Sequence, residues 1–555
     1  MSWRLLLFSV CLFSSGIQAG ALMLYSQSKD FLSGFSAKKD QQASSYDLFE
    51  QDGADQAGKL GVCISGGGSR SMALARGQMA VLRKYGIEEQ IKDLSLVSGG
   101  AWFGVSYYSS ELDDRQILGT LVENPEELTV GIEEEHLTCS KGCEVSDSDA
   151  GQPVNKSNLH VLTNSSLGNA HKEFSNLPGF LVSFVVGTFS RWLDGSHVWS
   201  EFLNQSLSGQ FEAPLNNDFF VRKKAEMSII INALLKKGEH YYPFEVLPEK
   251  VRVRSFIDGF KSEYLDHSEF GWVSRGEGGE EQLTLMRVQD ALAASSANYA
   301  NFVWGSLTYF VLPQFKFALK NPGGGAKDDS SYQLIDSGFL DYLGIMPLLA
   351  RRSDRIIAFI NTDIPIIYKG TKENGLLVGL EKALPALFGI QPDEKLIEEQ
   401  YILMKDSARR KEFKALTRGQ VFESDYYAWL AEQFMEKKAA GEPTIVLQKG
   451  LRVLKNDFHG IQGGHHVDVL WVYNDLPGKW WRRLDRTVRD CIEGNVIGNW
   501  FRGCYTTYTR FPHYSAIMDL HLPAFQANLL FHQASWALEE AERAEQVLSG
   551  FLGLH

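Results

Sequence analysis

Three short segments carry side chains able to do chemistry. Ser65-Gly66-Gly67-Gly68-Ser69-Arg70 follows the apolar run Gly61–Ile64 and opens a helical pattern that continues to about Lys84. Consecutive glycines let backbone N–H groups approach a ligand oxygen, and a helix N-terminus favours negative charge there. Such a turn suits a phosphate or an oxyanion. The nucleotide-binding fingerprints are missing, since neither G-x-G-x-x-G nor Gly-Lys-Ser/Thr occurs in it. In Leu96-Val97-Ser98-Gly99-Gly100, a serine falls where a strand gives way to a helix. That is the nucleophile-elbow arrangement, which exposes Oγ on a sharp turn. Gly100 keeps the G-x-S-x-G pattern and Leu96 breaks it, at a place where a small residue ordinarily avoids a clash. Finally, Ile335-Asp336-Ser337-Gly338 sets a carboxylate at the end of an apolar strand. Taken singly, each has a plain structural explanation: a tight glycine turn, a chance Ser-Gly-Gly, and an aspartate bonding its own turn.

The surrounding pattern supplies the elements that would position them. Strand, glycine turn, helix, then a second strand at Leu94–Val97 and a helical run to about Ser110 predict an α/β fold. Its expected form is a central, mostly parallel sheet flanked by helices, with inserted loops and cap segments. Arg355–Asn361 reads as a further buried strand, and residues 393–440 and 535–550 as helices. Residues 276–281 read as a loop and 125–175 as a polar insertion. The apolar segment 179–189 is either a buried core helix or an interfacial element meeting lipid.

Composition narrows the partners. The chain has 555 residues, 44% of them hydrophobic, and a net charge of −13. This is a globular balance with material for a large core, and it disfavours nucleic acid, which needs a clustered basic surface. Arg4, the apolar run Leu5–Phe13 and small residues up to Ala19 predict a secretory signal peptide over 1–19, and hence a secreted protein. Residues 20–58 read as a flexible lead-in, and 59–550 as one catalytic domain. Sequons stand at Asn155, Asn164 and Asn204. Six cysteines are too few for a disulfide scaffold. Cys139 with Cys143, and Cys491 with Cys504, are near enough for local disulfides, whereas Cys63 reads as a buried thiol. Thirteen histidines show no HExxH pattern and nothing has zinc-ligand spacing, so neither a metal nor a cofactor is implied.

In combination, glycine turn with Arg70, serine elbow and Asp336-Ser337-Gly338 resemble, in this order, the cytosolic phospholipase A2 and fungal lysophospholipase (phospholipase B) family, distant kin of the patatins. Val198–Phe202, Tyr242–Glu245, Ala294-Ser295-Ser296-Ala297 and Phe511-Pro512 are similar to further patches of that family. The likeness is dense at 59–110 and 331–363 and patchy elsewhere up to about Trp536. It implies a patatin-like fold and a secreted hydrolase releasing fatty acids from glycerophospholipids or lysophospholipids through a Ser-Asp dyad. Ser98 matches the nucleophile, Asp336 its acidic partner, Gly67 and Gly68 the oxyanion hole, and Arg70 the arginine holding the substrate phosphate. The implied partner is a phospholipid membrane surface or lysophospholipid micelles, with no obligate protein partner evident. Leu96 is expected to strain the elbow, and Ser69 to widen the pocket where the family carries a larger residue.

Two competing readings keep the same serine. In a Ser-His-Asp α/β-hydrolase esterase, His466 or His513 would complete the triad, since both follow Asp336 in the required chain order. In a catalytically inactive lipid-binding relative, Leu96 would mark the lost activity.

Overall fold

In the computed structural model of the chain the described residues are 59–130, 137–139, 200, 203, 207, 227–237, 240–248, 250–254, 263–266, 271–275, 281–296, 333–372, 375–390, 419–493, 510–514, 522 and 524–553. Residues 1–58, expected to hold a signal peptide and a lead-in, and the apolar segment 179–189 lie outside them.

A ten-stranded sheet organises the chain. It begins with β1 (Leu60–Ile64), α1 (Gly68–Lys84), β2 (Ile91–Val97) and α2 (Gly99–Ser109), so the first two helices start where the sequence pattern placed them. The remaining strands are β3 (Ser228–Lys237), β4 (His240–Val246), β5 (Lys250–Val253), β6 (Glu263–Asp266), β7 (Gln333–Asp336), β8 (Arg355–Ile360), β9 (Ile445–Arg452) and β10 (His466–Tyr473). The spatial order is β9-β10-β8-β1-β2-β3-β4-β5-β6, with β7 also on β3. The five central strands, β10-β8-β1-β2-β3, run parallel. Antiparallel strands extend both ends, β9 at one and β4, β5 and β6 at the other. The fold is α/β. Strands β1 and β8 are almost entirely buried and read LGVCI and RIIAFI, as central parallel strands covered on both faces must.

The chain moves from β1 to β2 on one side, while β8 returns on the other. Where strand order reverses in this way, loops at the carboxyl ends part and leave a crevice. The glycine turn follows β1 there, and Ser98 follows β2.

Register brings in the third segment. Strand β3 is ten residues long, and β2 covers only the first part of one of its edges, from Asp93↔Ser228 to Val97↔Asn232. Strand β7 then takes over antiparallel, with Asp336 opposite Ala233. Val97 and Asp336 therefore face consecutive residues of β3, although 239 positions separate them (336 − 97). Asp336 is delivered beside Ser98 by the sheet ladder itself.

Helix α3 (Val288–Ser295) lies near β3, and α4 (Ala524–Glu545) packs along α1. The C-terminal helix begins earlier than its charge pattern suggested, because residues 529–538 are buried on every face, with His532, Gln533 and Ser535 among them. Glu281, expected in a loop, starts a strand that pairs with Gly271–Arg275. Within the expected polar insertion, Leu128–Val130 and Leu137–Cys139 pair as a short hairpin. Cys63 is free and buried, and Cys491 is disulfide-bonded.

The α1–α4 contact depends on Gly77, where an added Cβ would lie well inside contact distance of the Phe531 carbonyl oxygen. An exposed Gly→Ala in a helix gains about 1 kcal/mol. Here the sign reverses: Gly77→Ala should destabilise by about 1–3 kcal/mol through overpacking, read as a lowered Tm. An unchanged or raised Tm would show that the helices part freely.

Candidate active site

Ser98 is the N-cap of α2, with φ 50° and ψ −118°. A non-glycine residue in this region costs on the order of 1–3 kcal/mol and persists only where its surroundings fix it. Four hydrogen bonds do so. The Ser98 N–H donates to Ser295 Oγ on α3 at 3.0 Å. Asn232 Nδ2 donates to the Leu96 carbonyl at 3.0 Å and to Ser95 Oγ at 2.9 Å, holding the end of β2. Ser95 Oγ in turn donates to the Gly344 carbonyl at 2.5 Å.

The glycines allow the elbow to sit directly on the glycine turn. An added Cβ on Gly99 would collide with the Gly68 backbone, and one on Gly100 would stand 2.7 Å from the Ile64 carbonyl oxygen. The turn itself uses φ 135° at Gly67 and 55° at Gly68. As N-cap and first residue of α1, these two present N–H groups that the helix cannot satisfy.

The unusual Leu96 is accommodated, contrary to the expected strain. Its side chain is fully buried, and an added Cβ on Gly104 of α2 would lie 2.6 Å from Leu96 Cδ1. The missing glycine of the elbow pattern is thus offset by a glycine one helical turn further on, which opens the room the leucine fills.

Asp336 is 2% exposed, and its carboxyl lies near enough to the Ser98 hydroxyl for that hydroxyl to act on its pKa. Its Oδ1 also accepts from the Gly338 N–H at 2.7 Å. Burial pushes its pKa up to about 7, and the Gly338 amide and the Ser98 hydroxyl only partly reverse the shift. A carboxyl titrating there is a far better proton acceptor near neutrality than one in water.

Arg70 is where the structure departs from the role implied for it. Its guanidinium is buried and faces inward, under the turn. Nε and Nη2 donate to the Asn361 carbonyl at 3.3 and 3.1 Å, Nη2 to Tyr342 Oη at 3.3 Å, and Nη1 to the Tyr514 carbonyl. Four of its five N–H bonds are thus directed at protein acceptors rather than outward. Its charge nonetheless lies against the turn, because an added Cβ on Gly67 would stand 2.6 Å from Nη2. Below it, Asn361 links Ser65, Ser71 and Gln78 in a buried polar network.

Neither histidine of the triad alternative approaches the pair. His466 is exposed at the start of β10. His513 is buried, but its ring nitrogens contact the Thr362 carbonyl at 3.1 Å and Asp475 Oδ1 at 3.3 Å. Among the described residues no group of three or more His, Cys, Asp or Glu is placed to hold a metal ion.

Comparison with known proteins gives a fold likeness at low identity. No family model matches the chain, and no curated protein does. Among solved structures, human GIVD cytosolic phospholipase A2 is 12% identical, with a TM-score of 0.45 over 97% of this chain and 64% of that one. The same human enzyme in complex with methyl gamma-linolenyl fluorophosphonate is 12% identical, with a TM-score of 0.43 over 96% and 64%. The chain thus spans just under two thirds of the length of these structures.

Sequence reasoning singled out Ser98, Asp336, Gly67, Gly68 and Arg70, all of which lie where β1, β2 and β7 end. It missed Tyr342 and Asn361, which no motif marks, and it noted Ser295 without a role.

The Leu96–Gly104 fit predicts a coupled pair. Gly104→Ala should destabilise the protein, and its cost should shrink when Leu96→Ala is present, giving a coupling of about 0.5–3 kcal/mol in a double-mutant cycle. Additive losses in chemical denaturation would mean that the two positions do not share this space.

Proposed function

We propose that the protein is a serine acyl hydrolase that releases fatty acids from glycerophospholipids or lysophospholipids through a Ser98–Asp336 dyad. The observation that carries this reading is the placement, by the ladder of β3, of a buried aspartate beside a serine held at positive φ, next to the amides of a glycine turn. A serine hydroxyl is inert at neutral pH until a base accepts its proton, and Asp336 is the base in reach.

Ser98 Oγ attacks the ester carbonyl and its proton passes to the Asp336 carboxylate. The carbonyl oxygen becomes an oxyanion and accepts hydrogen bonds from the Gly67 and Gly68 amides, each such donor being worth about 10²–10³ in rate. Collapse expels the alcohol of the glycerol backbone, which takes the proton from Asp336 and leaves Ser98 acylated. Water then attacks the acyl-enzyme, giving a proton to Asp336. Collapse of the second intermediate frees the fatty acid and returns that proton to Ser98. In this reading Arg70 assists from beneath, bracing the turn and adding positive potential, rather than gripping the phosphate.

The test is fatty-acid release from phosphatidylcholine and lysophosphatidylcholine vesicles or micelles in the presence of chelator. Ser98→Ala and Asp336→Asn should each lose at least about 10³-fold in kcat, as expected for members of one catalytic unit. His513→Ala should retain hydrolysis if it folds. Because only the ionised carboxylate accepts a proton, kcat/KM should fall as pH drops below about 7, the value to which Asp336 is raised. Loss of hydrolysis in folded His513→Ala, or no release by the wild type, would overturn the dyad reading.

A further inference from the structure

We infer that Tyr342 is a positioning residue that sets the direction of the Gly67 N–H and ties the acid-bearing turn to the glycine turn. This deepens the reading above and rests on it.

Tyr342 lies six residues beyond Asp336 (342 − 336), in the turn that follows β7. It meets the glycine turn at three points. Its carbonyl accepts from the Gly66 N–H at 3.1 Å. Its hydroxyl lies 3.0 Å from the Gly66 carbonyl oxygen and 3.0 Å from that of Asn361, and receives Arg70 Nη2. Its ring lies flush on the glycines of both turns. An added Cβ would stand 3.1 Å from the ring at Gly66 and 3.6 Å at Gly338. The same Gly66 position is 3.5 Å from Ser98 Cβ, and that of Gly338 is 3.0 Å from Asp336 Oδ1. One side chain therefore borders the nucleophile's turn, the acid's turn and the buried guanidinium.

The hydroxyl contact matters because of peptide geometry. The Gly66 carbonyl and the Gly67 N–H belong to one planar trans unit and point in opposite directions. Holding the carbonyl oxygen against Tyr342 fixes that plane and so aims the N–H the other way. Gly67, at φ 135°, would otherwise be among the least constrained residues of the chain. An oxyanion donor is effective only when aimed before the charge develops. Burial keeps the phenol neutral by pushing its pKa well above the usual tyrosine value, so the hydroxyl stays a donor across the working range.

The experiment compares wild type, Tyr342→Phe and Tyr342→Leu by two readouts: steady-state hydrolysis of lysophosphatidylcholine, and amide hydrogen exchange of the peptide spanning 64–72. Phe keeps the ring contacts and removes only the hydroxyl. Tyr342→Phe should fold with little change in Tm and exchange faster in that peptide. Its kcat should fall about 10–100-fold with KM nearly unchanged, as for weakening one oxyanion donor. Tyr342→Leu should lose more on both readouts. Unchanged exchange and kcat in a folded Tyr342→Phe would overturn the inference, as would a KM effect alone. Faster exchange in a Tyr342→Phe made from a wild type that hydrolyses nothing would uphold the positioning of the turn and sink the hydrolase reading instead.

Discussion

One edge of β3 serves two partners in succession, and the site depends on that handover. The edge is ceded by β2 at Val97↔Asn232 and taken up by β7 at Ala233↔Asp336. No flexible loop has to fold back to bring acid to serine, since the hydrogen-bonded ladder does it. A one-residue slip of β7 would turn Asp336 to the other face of the sheet. The same handover frees the end of β2 to turn sharply into α2, and Asn232 caps the junction by donating to the Leu96 carbonyl. The strained serine, the glycine turn beneath it and the tyrosine against that turn all follow from this shared edge.

Two buried carboxylates show how neighbours, rather than burial alone, decide what an acid can do. Glu245 is fully buried, which by itself would raise its pKa, yet Arg351, Arg252 and Arg254 hold it at about 2. Arg351 Nη2 is 2.6 Å away and Arg254 Nε 3.3 Å, so this acid stays ionised and cross-links β4 and β5 to the segment after β7. Its contribution to stability is present above the ordinary glutamate range and is lost as pH falls through about 2. Asp336 has no cation among its described partners, only a serine hydroxyl and one amide, and is raised to about 7. The stability tied to its neutral form is fully present below about pH 4 and is lost as pH rises through about 7. Folding thus opposes ionisation of Asp336 under the very conditions in which it would act as base, a stability cost typical of working sites.

The segments that meet at the strand ends were legible in the sequence because each is written in contiguous residues. Glycine turn, elbow serine and aspartate are each short motifs at strand ends, and the strand–helix alternation around them is a period signal. Four things were not legible, each for a physical reason. The inward turn of Arg70 depends on the Asn361 and Tyr514 carbonyls, 291 and 444 residues away. The tolerance of Leu96 depends on Gly104, whose value is the space it leaves. The antiparallel wings of the sheet depend on strand pairing, which a burial pattern does not encode. Tyr342 carries no motif at all, and its place follows only from the register of β7.

The most direct measurement is covalent labelling with a long-chain alkyl fluorophosphonate, followed across pH and located by peptide mass spectrometry. The account predicts one adduct, on Ser98, forming at a rate that climbs as pH rises through about 7 and collapses in Asp336→Asn. An adduct elsewhere, or labelling of Ser98 indifferent to Asp336, would contradict it.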